Sequence, residues 1–201
     1  MNVTLIDYGA GNVTSVERAL RRVGAEVCIT NQPHEIAKAR CLVLPGVGHC
    51  GALIAALDAH SLRQPLKEAV ARGTFFLGIC LGLQALYEGS DEAPAQTGLG
   101  FLRGRVTSLP MDVKLPHMGW NQLHTIRSSR LLGNLSPEAY FYFAHSYAAP
   151  AAGAEIAAVC HHGRDFAAVL EYENIFGVQF HPEKSGAPGA ELLENFLRLA
   201  A

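Results

Sequence analysis

The chain has 201 residues, of which 49% are apolar, and a formal net charge of −2. Such a length suits one domain with a full buried core, while the near-neutral balance excludes a disordered tail protein and one held mainly by nucleic-acid phosphates. A single domain over residues 1–201, with no nucleic-acid partner, is the expectation.

No stretch approaches the roughly 20 apolar residues that span a bilayer. The opening MNVTLIDYG places Asp7 where the apolar part of a secretory leader would continue, so a cytoplasmic protein with no membrane association is expected. The five cysteines, Cys28, Cys41, Cys50, Cys80 and Cys160, are odd in number and form no CxxC pair. Neither a disulfide framework nor a zinc site follows, and at least one thiol is expected to be free.

Short apolar runs alternate with amphipathic stretches through the first half: Val3 to Ile6, Val13 to Val23, Val27 to Ile29, then Cys41 to Leu44. This is the pattern of βα units, whose buried parallel strands are continuously apolar. An open, mostly parallel α/β sheet flanked by helices is therefore predicted. Gly51 to Ala59 and Leu66 to Ala71 follow as helices, and Phe75 to Ile79 as a central strand leading into Cys80. Beyond Phe101 the texture changes to strand-like runs at Arg105 to Leu109, Tyr140 to Phe143, Ile156 to Cys160, Ala167 to Tyr172 and Ile175 to Phe180. These predict antiparallel strands added at one edge. Gly189 to Leu199 closes the chain as a helix, with Leu192, Leu193, Phe196 and Leu197 on one face.

Two segments carry chemistry. In Gly78-Ile79-Cys80-Leu81-Gly82, a cysteine at the end of an apolar strand has a glycine two residues away on each side. A nucleophile held on a tight strand-to-helix turn needs this spacing, because side chains at 78 and 82 would collide with neighbouring backbone. The N–H groups of the following helix favour thiolate over thiol. In Gln179-Phe180-His181-Pro182-Glu183, a strand delivers a histidine to its carboxyl end with a carboxylate two residues later. Ligand crevices of open α/β sheets lie at that end, so His181 can take the Cys80 proton while Glu183 orients the ring. The other histidines, including His117, His145 and the His161-His162 pair, have no comparable setting, and the pair is expected on a solvated turn.

A cysteine elbow followed by strand-His-Pro-Glu resembles the class I, triad-type glutamine amidotransferases. Three further segments, Asp7-Tyr8-Gly9-Ala10-Gly11-Asn12, Pro45-Gly46-Val47-Gly48 and Pro116-His117-Met118-Gly119-Trp120-Asn121, narrow the likeness to the glutaminase subunits of imidazole glycerol phosphate synthases, over nearly the whole chain. This resemblance implies hydrolysis of L-glutamine to glutamate and ammonia without metal or other cofactor. It also implies a heterodimer with a separate (β/α)8-barrel cyclase subunit that consumes the ammonia in histidine biosynthesis. By the same resemblance, the oxyanion hole comes from Leu81 and from Gly46, Val47 and Gly48. Gln84 and Glu92 would face the substrate amino group, and His145, Ser146 and Tyr147 its carboxylate. Gln84 lies one helical turn beyond Cys80, on the same face. Asn12, Met118, Trp120, Asn121 and Lys184 would contact the cyclase.

The chain departs from the family pattern at His49-Cys50, where a small residue and Phe are common, and the effect on the pocket lip is open. A glutaminase serving another acceptor, such as anthranilate or pyridoxal phosphate synthesis, shares the triad and differs only in the PGVG and PHMGWN segments. A cysteine peptidase on a similar fold would share the elbow but not His-Pro-Glu or Gln84. A binding module would have no need of all three triad residues.

Overall fold

β-Branched and aliphatic runs form the strands of the computed structural model, which describes residues 1–9, 12–133 and 135–201. The first half runs β1 (Asn2–Ile6), α1 (Val13–Arg22), β2 (Glu26–Thr30), α2 (Pro33–Lys38), β3 (Cys41–Leu44), α3 (Cys50–Ala59), α4 (Arg63–Ala71), β4 (Phe75–Ile79) and α5 (Leu81–Gln84). There follow β5 (Tyr87–Ser90), β6 (Leu102–Ser108), β7 (His117–Gln122), β8 (His124–Thr125), β9 (Tyr140–His145), β10 (Tyr147–Ala148), β11 (Ile156–His162), β12 (Arg164–Tyr172), β13 (Ile175–Val178) and α6 (Gly186–Ala200).

Eight strands form the main sheet in the order β2-β1-β3-β4-β13-β12-β11-β8. From β2 to β13 the pairings are parallel, and β12, β11 and β8 are antiparallel additions at one edge. The doubly wound α/β expectation holds, with one change: the Ile175 strand, expected among the antiparallel additions, runs parallel to β4 in the middle of the sheet. Its apolar residues Ile175, Phe176 and Val178 are buried, as a strand covered on both faces requires. Two other small sheets, β10-β6-β5 and β7-β9, stand apart from the main one.

Apolar side chains cover both faces of the main sheet. Val16 and Leu20 of α1 pack with Leu192, Leu193 and Phe196 of α6 in one core, while Ile36, Leu53, Ile54, Leu57 and Leu66 from α2, α3 and α4 belong to the other. Burying each such side chain contributes about 2 kcal/mol. The parallel register sets Val178 beside Ile79, so β4 and β13 end side by side and release Cys80 and His181 at the same edge. All five thiols are free, and only Cys28, on the edge strand β2, is exposed.

Candidate active site

Cys80 sits at φ +53° and ψ −107°, a conformation that costs a non-glycine residue about 1–3 kcal/mol and needs the surrounding structure to enforce it. The enforcement is visible on both sides. Its N–H donates to Val178 O at 2.7 Å, and its carbonyl accepts from Leu83 N and Gln84 N at 3.0 and 3.1 Å. A Cβ on Gly78 would lie 2.5 Å from Gly82 O, and one on Gly82 would lie 2.0 Å from Leu44 O. Both flanking positions therefore require glycine, as the spacing predicted. Helix α5 is a single turn, so it brings local N–H groups and no long helix dipole to the nucleophile.

His181 follows β13 and is almost fully buried. Its N–H donates to Tyr142 O at 2.9 Å, tying it to β9, and Ser185 Oγ donates to its carbonyl at 2.6 Å. Nδ1 pairs with Glu183 Oε1 at 2.8 Å, and that same oxygen accepts from Asn12 Nδ2 at 3.1 Å. Burial alone would lower the pKa of His181. The facing Cys80 sulfur and the Glu183 carboxylate outweigh burial and raise it from the ordinary 6.5 to about 10.

Because this folded-state pKa lies above the unfolded one, the imidazolium stabilises the fold fully below about pH 6.5, and the contribution fades as pH rises through about 10. Glu183→Gln removes one of the charges responsible. The variant is expected to show a lower His181 pKa by NMR titration, and a smaller loss of unfolding free energy than wild type between those two pH values. Equal titration curves would show that Glu183 does not hold the ring.

A cavity of about 160 Å³ opens at this edge. It brings together Cys80, Leu81, Gln84, Val47, Gly48, Glu92, His145, Ser146, Tyr147, His181 and Lys184, together with Ala144, which sequence reasoning did not single out. Gly46 lies beneath the lining, where a Cβ would come 2.5 Å from Leu81 Cβ, and Glu183 stands behind His181. Glu92 Oε2 accepts the Cys50 N–H at 2.7 Å, while His49 Nδ1 accepts from Gly51 N, so the unusual His49-Cys50 pair caps the start of α3. A larger depression of about 940 Å³, with Met1, Arg40 and Ala201 on its walls, lies at the opposite, amino-terminal ends of the strands, away from this chemistry.

The five expected interface residues divide into groups. Met118 and Trp120 are exposed on one face of β7, and Trp120 meets Tyr142 edge-on at 5.9 Å. Lys184 Nζ lies over the same Tyr142 ring at 5.6 Å from its centroid. Asn121, one residue out of phase with Met118 and Trp120, turns the other way and bonds to His117 and to His161 O. Asn12 points inward to Glu183, and Ala10 and Gly11 of its segment lie outside the described residues.

Sequence reasoning also missed Gln179, whose Nε2 reaches Cys80 Sγ at 3.5 Å and whose Oε1 accepts from Gln84 Nε2 at 3.0 Å. A polar residue in an otherwise buried apolar strand end was the available signal. His161 and His162 end β11 at the turn into β12, and the half-exposed His162 ring also stacks on His117 at 4.2 Å, a contact with no signal in the sequence.

A strained cysteine at the end of a central parallel strand, beside a buried His–Glu pair, is the arrangement of an enzyme with a cysteine nucleophile. The family described as glutamine amidotransferase class-I matches residues 4–200. Imidazole glycerol phosphate synthase subunit HisH of Methanothermobacter thermautotrophicus is 44% identical over 98% of this chain and 98% of its own. The HisH subunit of Aquifex aeolicus is 43% identical over 100% and 98%. The chain belongs to the family of HisH subunits of imidazole glycerol phosphate synthase. Among solved structures, one of a glutamine amidotransferase superposes with a TM-score of 0.78 at 20% identity, over 98% of both chains. PurLQS from Thermotoga maritima gives 0.78 at 19% identity, over 100% of this chain and 99% of that one. At those identities the structures show the shared fold.

Proposed function

We propose that residues 1–201 act as one glutamine amidotransferase domain that hydrolyses L-glutamine through a γ-glutamyl thioester on Cys80. The ammonia passes to a (β/α)8-barrel cyclase subunit, which forms imidazole glycerol phosphate and an aminoimidazole carboxamide ribotide in histidine biosynthesis. The observation that carries this is the strained Cys80 sharing one pocket with the His181–Glu183 pair.

The Cys80 thiolate attacks the side-chain amide carbon, and His181 gives its proton to the departing ammonia. Water then enters, His181 takes its proton, and the thioester opens to glutamate. Glu183 keeps the ring in one tautomer throughout, with Asn12 holding the same carboxylate oxygen. Backbone N–H groups of Leu81 and of the Gly46-Val47-Gly48 turn serve the developing oxyanion. Glu92 and Gln84 receive the substrate α-ammonium, and the His145–Tyr147 segment its carboxylate. None of these steps requires a metal. The reaction fits a cytoplasmic biosynthetic enzyme, and among the described residues no helix is long and apolar enough to cross a membrane.

Met118, Trp120 and Lys184 form the cyclase-facing surface, beside the pocket mouth. Trp120→Ala is expected to weaken association about thirtyfold or more, the effect of removing an aromatic anchor, while leaving the fold intact. A titration giving unchanged affinity would move the interface elsewhere. The function itself is tested by measuring glutamate release from glutamine, first by the chain alone and then with the cyclase carrying its ribonucleotide. Turnover that rises strongly in the complex supports a glutaminase whose oxyanion hole is completed by its partner. No turnover in either state, with the complex shown to form, rejects the glutaminase assignment.

A further inference from the structure

Behind the pocket wall, a line of hydrogen bonds joins the surface of β7 to Gln84, and the direction of each bond can be worked out. His145 Nδ1 lies 2.9 Å from Tyr147 O. A carbonyl oxygen only accepts, so this nitrogen carries the proton. Burial holds both His145 and His117 neutral, with pKa values pushed down to about 3 and about 4. In a neutral ring the other nitrogen accepts, so His145 Nε2 takes a bond from His117 Nδ1, 3.1 Å away. His117 must therefore also carry its proton on Nδ1 and accept at Nε2, where Asn121 Nδ2 approaches at 3.3 Å. The Asn121 amide is oriented independently, because Nδ2 also donates to His161 O and Oδ1 accepts from Gln122 N. Every member of the line is consistent with a single proton arrangement.

The line ends at the carbonyl that also accepts from Gln84 Nε2, at 2.7 Å. The second Gln84 N–H goes to Gln179 Oε1. Both amide protons are thus engaged, which leaves Gln84 Oε1, an acceptor, as the amide group available to a ligand in the cavity that Gln84 lines. An acceptor there suits an ammonium and repels a carboxylate.

We propose that His117 is a positioning residue for substrate recognition: through His145 it fixes the Tyr147 carbonyl, which holds Gln84 with its oxygen toward the α-ammonium of the bound amino acid. The proposal rests on the assignment of this cavity as the glutamine site and adds a residue outside it. The line is no proton shuttle, because it terminates on a carbonyl oxygen that cannot take up a proton. Nor does the His162 ring join it, since that ring stacks face to face on His117 while its Nε2 meets Lys114 O.

His117→Phe keeps a flat ring between Phe143 and His162 but removes the donor to His145 Nε2, leaving a buried lone pair unmatched. Turning the His145 ring would satisfy Nε2 only by taking Nδ1–H away from Tyr147 O. Steady-state glutamine hydrolysis by the full chain assembled with its cyclase is expected to show KM raised about tenfold, the effect of one lost buried hydrogen bond, with kcat within about twofold of wild type. His117→Gln restores an N–H donor and is expected to return KM to within about threefold. A purely structural role would leave both variants equally impaired, and that result, or an unchanged KM in His117→Phe, overturns the proposal. Long-range proton–nitrogen NMR on the unsubstituted chain provides a second readout, independent of how the variants fold. Both rings are expected in the Nδ1–H form at neutral pH, and an Nε2–H form or an imidazolium at either ring also overturns it. If unsubstituted chain and cyclase turn over no glutamine while both rings show the expected tautomer, the failure lies in the glutaminase assignment, and the recognition role falls with it.

Discussion

Cys80→Ala is expected to lower glutamine hydrolysis by roughly ten-thousand-fold or more, the scale on which loss of an activated nucleophile acts. Synthesis from free ammonia by the assembled complex should continue. The reasoning is chemical: the thioester needs a sulfur electron pair aimed at the amide carbon, and none of the pocket's other side chains supplies one. Cys50 is no substitute, because burial and the nearby Glu92 carboxylate raise its pKa and disfavour thiolate. The substitution also removes the sulfur that faces His181, so the imidazole pKa should fall from about 10. Parallel assays with glutamine and with ammonium salts check the claim. Normal use of glutamine by the variant would remove Cys80 from the mechanism, whereas loss of both activities would point to a damaged complex.

The second large effect concerns stability. Gly82→Ala places a methyl 2.0 Å from Leu44 O, and backbone rather than a flexible side chain must move. Leu44 ends β3 and leads directly into the Pro45–Gly48 turn, so the displacement reaches the oxyanion region as well. Overpacking against fixed backbone of this kind costs about 3 kcal/mol. A urea titration of wild type and variant should show that loss as a shift in midpoint with unchanged slope. A loss below about 1 kcal/mol would mean that the turn deforms easily and that the glycine is not sterically required.

The fold class was legible because buried parallel strands have a distinctive pattern, continuous apolar runs separated by amphipathic helices. The elbow was legible for a local steric reason, and the positions a Cβ would occupy at Gly78 and Gly82 bear it out. What the sequence did not show depends on pairing. The parallel direction of the Ile175 strand follows from insertion between β4 and β12, a long-range event with no local marker. Strand β7, His117–Gln122, has no β-branched residue and takes its form from pairing with β9. That pairing turns His117 and Asn121 inward and Met118 and Trp120 outward, which is why the three interface residues expected on this strand separate in space. Asn12 was grouped with the partner surface from its segment, and the bond its side chain makes to Glu183, 171 positions away, had no local marker. The His117–His145 line depends on three strands meeting, and two ordinary histidines in sequence gave no sign of it.

The central claim, that Cys80 is an activated thiol in a glutamine-recognising pocket, is tested most directly by treating the full chain with an electrophilic chloroketone analogue of glutamine and locating the adduct by peptide mass mapping. Cys28 is the exposed cysteine and Cys80 is buried, so mere accessibility and specific recognition give opposite results. A single adduct on Cys80, slowed by added glutamine, is the outcome this account predicts. Labelling confined to Cys28, with Cys80 untouched and glutamine without effect, would contradict it.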